Sequence, residues 1–454
     1  IGWFAEGRGR ACCAGKGQAI AFLTVAAGAG TARAADLIPV PDFTEYGVPV
    51  SMPPAPDHVL WEWLNVGLLV VALSLASYFA LVSRSRRGLF LLAIASLVWF
   101  GFIYEGCICA IGATQNVVLA LFDANYAIPL TVVLVFVLPL VFTLFFGRTF
   151  CAAVCPLGAI QELVAVRPIR VPRWLDHALG LLPYIYLGLA VIYAAMGTAF
   201  VVCRYDPFVP IFRLGGDVNM LIFGGALLVM GIFIGRPYCR YLCPYGALLA
   251  ILSRAAKWHA RIPPEQCIQC RLCEDSCPYG AIQEPSAPPP RELRPAARRR
   301  LAALLALAPV LVIGGGCLGW LLTIPLARLE HEVRLAERIH DEDAGLVEGM
   351  TDASEAFRNT GQAKEELLAS VVAIRSRFRL PAILLGGWVG LVVAVKLISL
   401  SVRRRREDYQ PDRARCVSCA RCYWYCPGEQ VRLGLIDDVS ELVDLKKPEA
   451  KSAS

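Results

Sequence analysis

Histidine and charge are scarce in this chain. Five histidines occur among 454 residues, none inside a confident apolar span, and no Cys-x-x-Cys-His is present. Neither a bis-histidine haem within a bilayer nor a c-type haem is therefore expected. Charged side chains make up 18% against 57% hydrophobic residues, and a mean hydropathy of +0.55 is more apolar than a soluble core of this size can bury. The chain reads as a polytopic membrane protein. Its net charge of +7 comes from arginines beside apolar segments. That placement argues for control of topology and against nucleic-acid binding.

Seven apolar segments approach the roughly 20 residues that span a hydrocarbon core: 61–82, 88–104, 127–147, 178–202, 218–235, 301–327 and 380–402. Loops 83–88, 148–177 and 236–261 hold twelve Lys/Arg, whereas 36–60, 105–126 and 203–217 hold two. The first set is expected inside. Upstream, Arg8, Arg10 and Lys16 precede an apolar run, and Thr31 to Ala35 has the small residues of a cleavage site. The expected order is a signal or anchor segment (1–35), an outer Pro-rich stretch (36–60) and a membrane core (61–258). A ferredoxin half (259–290), a linker with a membrane helix (291–327) and an outer helical hairpin (328–379) follow. A membrane helix (380–402) and a second ferredoxin half with a tail (403–454) complete it. The fold class is mainly α, a helix bundle carrying a split ferredoxin-like module.

Cysteine is abundant, with 18 residues of which twelve fall in four spaced motifs. Cys267, Cys270, Cys273 and Cys277-Pro have the spacing of a bacterial [4Fe–4S] ferredoxin half, and Cys416, Cys419, Cys422 and Cys426-Pro repeat it. In two-cluster ferredoxins the fourth cysteine serves the other cluster. Two clusters are expected: one on Cys267, Cys270, Cys273 and Cys426, the other on Cys416, Cys419, Cys422 and Cys277. The two halves must then meet beneath the bilayer.

An internal repeat aligns Gly147 to Ala159 with Gly235 to Ala247, placing Cys151 and Cys155 against Cys239 and Cys243. Same-sense repeats imply a pseudo-two-fold axis along the membrane normal. Cysteines at i and i+4 share a helical face. The four could hold a third metal, act as redox thiols, or simply maintain a turn, with Arg148, Arg236 and Arg240 beside them to stabilise thiolates. Cys107, Cys109 and Cys203 form a candidate outer-face site for a metal or disulfide, or pack as small hydrophobes. Glu105 and Asp206, at the outer boundary, are candidate acceptors for quinol protons or solvated acids. Cys317 is expected to pack, and Cys12 and Cys13 are given no role. Segment 328–379 is expected to form two amphipathic helices turning near Asp341–Thr351.

In the order of its four cysteine motifs, over about residues 61–430, the chain resembles the NosR family and its NapH-like relatives. The resemblance implies a bacterial cytoplasmic-membrane electron-transfer protein that supports a reductase outside the membrane, nitrous oxide reductase in the case of NosR. NosR proteins carry a large outer FMN-binding domain where this sequence has the Pro-rich stretch. Gly112-Ala113-Thr114 lacks the flanking Ser or Thr of a flavin-acceptor threonine, so FMN is not expected. The leading reading is a redox relay with no bond-making substrate of its own, joining inner clusters to membrane lipid's quinone pool or to an extracytoplasmic reductase. The alternatives are a copper-reducing maturation factor with its own maturation partner, and a membrane redox sensor.

Overall fold

The computed structural model describes residues 59–106, 109–169, 171–215, 217–262, 267–286, 293–402, 406–434 and 437. The expected signal segment, nearly all of the Pro-rich stretch, and Cys107 lie outside the described residues.

The architecture is a mainly α membrane bundle. Its first part comprises α1 (Val59–Ser77), α2 (Arg86–Ser96), α3 (Ala110–Phe122) and α4 (Leu130–Phe146). After these come α5 (Pro156–Val164), α6 (Leu182–Ala195), α7 (Val218–Phe233) and α8 (Pro244–Ser253). The second part comprises α9 (Leu293–Leu321), α10 (His331–Asp343), α11 (Asp352–Asn359), α12 (Lys364–Arg377) and α13 (Arg379–Ser401). Such apolar runs fold as helices because hydrocarbon offers no partner for an unpaired backbone group. Among the described residues, five stretches are long and apolar enough to cross a membrane: Leu60–Val82, Arg86–Ile103, Arg173–Ala195, Pro295–Leu321 and Lys364–Ser401. The remaining two expected spans are helical but shorter, Leu130–Phe146 and Val218–Phe233.

Two local expectations need correction. Residues 105–126 are not a plain loop, because α3 occupies most of them and packs against α4 and α6. Its buried face of Ala110 to Asn116 is small and polar, too short and too mixed to register as a span. Segment 328–379 holds three helices instead of two. The extra helix, α11, starts at a Thr351–Ser354 capping box and contributes Phe357 to a core with Val333, Ala336, Ile339, Leu367 and Val371.

Helices α9 and α13 approach closely at glycines. A Cβ on Gly315 would stand 2.3 Å from the Gly386 carbonyl oxygen, and one on Gly386 would stand 2.1 Å from that of Gly315. Small residues at such crossings permit backbone contact. Trp388 Nε1 then ties α13 to the bundle by donating to the Tyr184 carbonyl at 2.8 Å. Contrary to expectation, Cys317 is exposed on α9.

The ferredoxin halves meet in an antiparallel pair, β1 (Ile282–Gln283) with β2 (Gln410–Pro411), in the register Ile282↔Pro411 and Gln283↔Gln410. Asp412 extends the junction, its N–H donating to the Ala281 carbonyl at 2.7 Å and its carboxylate accepting from Gln283 Nε2 at 2.8 Å.

Candidate functional site

Each ferredoxin loop is shaped by residues that are not glycine yet adopt left-handed backbone. Gln269 and Arg271 (φ 53° and 64°) match Ser418 and Ala420 (φ 56° and 60°), the second and fourth residues after the first cysteine of each motif. Such conformations are costly outside glycine and persist where the surroundings demand them. Alternating backbone of this kind turns successive N–H groups into a concavity that suits an anionic iron–sulfur centre.

The loops bring together cysteines from both halves. One pocket is lined by Cys267, Cys270, Cys273 and Cys426, with Ile262, Tyr409 and Pro427. Cys416, Cys419 and Cys277 pack with Tyr279, Ala281 and Val417, and Cys422 lies in electrostatic range of all three. Thiols are the donor type that a [4Fe–4S] cluster takes, although among the described residues no three Cys, His, Asp or Glu side chains stand close enough to hold a single metal ion.

The membrane-core repeats form a third gathering. Cys151, Cys155, Cys239 and Cys243 belong to one buried cluster, and Cys155 and Cys243 each lie in electrostatic range of the other motif's cysteines. The pairs do not share a continuous helical face, however. Cys155 N–H bonds to the Phe150 carbonyl and Cys243 N–H to the Tyr238 carbonyl, both across a five-residue step, in wide turns that end at the cysteines. Pro156 and Pro244 explain this: a proline lacks the N–H and pushes the residue before it into extended backbone, so Cys155 (ψ 118°) and Cys243 (ψ 111°) become caps of α5 and α8.

Arginines are exchanged between the repeats. Arg148 Nη2 approaches Cys151 Sγ at 3.8 Å and lies 3.4 Å from where a Cβ on Gly246 would stand. Arg236 Nη1 lies 3.2 Å from the same point on Gly158, and it donates to the Cys151 carbonyl. A Cβ at Gly158 would crowd the Arg236 guanidinium, whereas one at Gly246 would just touch that of Arg148. Gln161 Nε2 donates to Cys239 Sγ at 3.3 Å while its Oε1 accepts the Tyr238 N–H at 3.0 Å. Arg240 reaches toward Cys277 instead of the membrane-core cysteines, its guanidinium donating to Asp176 at 2.6 Å and to the Pro278 carbonyl at 3.3 Å.

Sequence reasoning missed Glu162, which is 5% exposed. Its carboxylate accepts from Arg236 Nε at 3.0 Å, Arg421 Nη2 at 2.9 Å, the Tyr279 hydroxyl at 2.5 Å, and Arg86. Burial opposes its ionisation, yet Arg236, Arg86 and Arg421 outweigh that and hold the carboxyl well below the usual carboxylate range. Membrane core and both ferredoxin halves therefore converge on one side chain. Two further carboxylates act likewise: Asp176 joins Arg240 to Arg415, and Glu429 joins Arg84 (2.6 Å) to Arg432. A lone acid in the otherwise apolar α5 was the available signal.

Cysteine neighbours extend on through the core. Cys151 packs on the same small core of Tyr279, Ala281 and Val417 as Cys277, Cys416 and Cys419, and Cys155 lies in electrostatic range of Cys109. Cys109 Sγ caps α3 by accepting the Gly112 N–H at 3.5 Å, and Cys203 Sγ lies against the same glycine. Asp206 is buried, so it is not a solvated boundary acid. Burial pushes its carboxyl up to about 6 against the opposing hydrogen bond from the Phe208 N–H at 2.9 Å.

Two families of 4Fe-4S binding domain match the chain, one over residues 128–181 and 217–263, which contain the repeated membrane-core motifs, the other over 260–283. Protein NirI of Paracoccus denitrificans is 39% identical over 154 residues, 31% of this chain and 22% of the relative. The putative electron transport protein YccM of Escherichia coli is 32% identical over 156 residues, 31% of this chain and 43% of its own length. The regulatory protein NosR of Stutzerimonas stutzeri is 28% identical over 248 residues, 48% of this chain and 33% of its own. The chain thus spans less than half the length of each of these relatives. No solved structure matches it.

Proposed function

We propose, on the premise that this chain belongs to the NosR/NapH-like family of membrane polyferredoxins, that it relays electrons along its gathered cysteine sets. Its coarse role is membrane iron–sulfur electron transfer. Two [4Fe–4S] clusters, on Cys267, Cys270, Cys273 and Cys426 and on Cys416, Cys419, Cys422 and Cys277, would supply one-electron storage when bound. The chain's residues hold those thiols in place, bury the second set, and set it toward Cys151, Cys155, Cys239 and Cys243, which would form a third metal or redox-thiol centre. The outer acceptor is the quinone pool or an extracytoplasmic reductase; nitrous oxide reduction is the pathway that likeness to NosR favours.

The observation that carries the relay is the small core of Tyr279, Ala281 and Val417, against which Cys151 of the membrane core and Cys277, Cys416 and Cys419 of the ferredoxin halves all pack. That core joins the ferredoxin module to the membrane core. In reconstituted protein, Cys239→Ser should abolish electron delivery while both ferredoxin-type signals persist. Full delivery in that variant would return the membrane-core cysteines to a packing role.

Orientation follows from the arginines. With loops 83–88, 148–177 and 236–261 on the cytoplasmic side of a bacterial inner membrane, the ferredoxin module lies inside and α10 to α12 outside. An alkaline phosphatase reporter fused at Gly361 should be active. Silence there, with activity from a fusion at Gly434, would invert the topology.

A further inference from the structure

The two ferredoxin loops share a backbone but not an environment. Ile268, Gln269 and Arg271 are exposed, whereas their counterparts Val417, Ser418 and Ala420 are buried against the membrane core. Leu272 stands where the second loop has Arg421.

Charge differs as well. Beside the second set, Glu162 is met by Arg86, Arg236 and Arg421, three guanidiniums against one carboxylate. Arg86 also donates to the Cys419 carbonyl at 3.4 Å, Arg421 sits between Cys419 and Cys422, and Tyr279 follows Cys277 by two residues. Arg148 adds a further positive group by donating to the Ala414 carbonyl at 2.9 Å. Beside the first set the charges roughly cancel. Arg271 lies between Cys270 and Cys273 on the pocket wall, Glu274 and Asp275 follow Cys273, and the buried Glu429, whose N–H donates to the Cys426 carbonyl at 3.1 Å, is offset by Arg84 and Arg432.

We infer that electrons enter at the exposed first set and move toward the membrane core, because the positive charge built around the second set makes it the stronger acceptor. Reduction adds one negative charge to a centre, so fixed positive groups nearby favour the reduced form, and they act strongly where water is excluded. Exposure supplies a place for a soluble donor at one end; at the other the arginines, little screened where water is excluded, supply the pull and outweigh the burial that by itself disfavours the more highly charged reduced form. The inference rests on the reading that each set holds a [4Fe–4S] cluster.

The test is a potentiometric titration of the full-length protein in detergent, followed by electron paramagnetic resonance. Wild type should show two cluster signals of unequal potential. Glu162→Gln removes a negative charge and should raise the higher of the two; Arg421→Leu removes a positive one and should lower that same signal. Each change should alter the reduced-to-oxidised ratio at fixed ambient potential about tenfold, or about 59 mV for a one-electron couple. That is roughly the effect of a single charge across about 10 Å at an effective dielectric of about 20. The other signal should change less than about twofold. Arg421→Lys, which keeps the charge, should retain the wild-type potential even if Arg421→Leu folds poorly. The direction is overturned if the responsive signal is the lower one in wild type, if both signals move together, or if neither moves. Wild-type protein without two [4Fe–4S] signals would instead overturn the cluster assignment, a failure visible before any substitution is made.

Discussion

The two membrane-core repeats are alike up to their second cysteine and differ one helical turn later. Both have a wide turn, an extended cysteine, a following proline, and a glycine that admits the other repeat's arginine. Beyond that point α5 carries Gln161 and Glu162, whereas α8 has Leu249 and Ala250 at the corresponding places. The symmetric part surrounds the cysteines; of the asymmetric part, Gln161 turns back to Cys239 while Glu162 faces the ferredoxin module. A duplicated frame can thus hold a shared centre with equal contributions while one copy alone is adapted to docking.

Arginine substitution should break this likeness most sharply. Arg236 is 1% exposed, paired with Glu162, and bonded to the Cys151 and Ala152 carbonyls. Removing one partner of such a buried pair costs about 3–5 kcal/mol. Arg148, its counterpart, holds the Ala414 carbonyl and approaches Cys151 without a buried carboxylate partner. Its loss should cost about 1–3 kcal/mol. Thermal unfolding in detergent should therefore rank Arg236→Gln well below Arg148→Gln, and equal losses would mean that the repeats are equivalent despite Glu162.

A smaller effect comes from making α5 resemble α8. Gln161→Leu deletes the donor to Cys239 Sγ and leaves the buried Tyr238 N–H without its acceptor. A loss of about 1–2 kcal/mol is expected, measurable by the same unfolding experiment. No change would show that the second repeat's apolar arrangement serves both copies.

Much of the plan was legible from local spacing. Short cysteine intervals define a loop that wraps a cluster, the proline after each fourth cysteine marks the chain's exit, and seven apolar runs declare helices because a bilayer permits little else. Helix α3 escaped because its buried face is small and polar, and α11 because a single phenylalanine in a charged stretch leaves no periodic trace. The face-sharing expected of the i and i+4 cysteines fails at Pro156 and Pro244, each of which forces the preceding cysteine into extended backbone.

The sequence by itself determined the cysteine sets, the repeat, the membrane class and the arginine-rich side, since each depends on residues near one another in the chain. Only the tertiary structure decided that Arg86, Arg236 and Arg421, separated from Glu162 by 76, 74 and 259 residues, converge on it. A buried charge must find its partners wherever the fold brings them, and sequence distance does not restrict which arginines those are. The contrast between an exposed and a buried ferredoxin loop has the same origin: their spacing is identical, and only packing against the membrane core tells them apart.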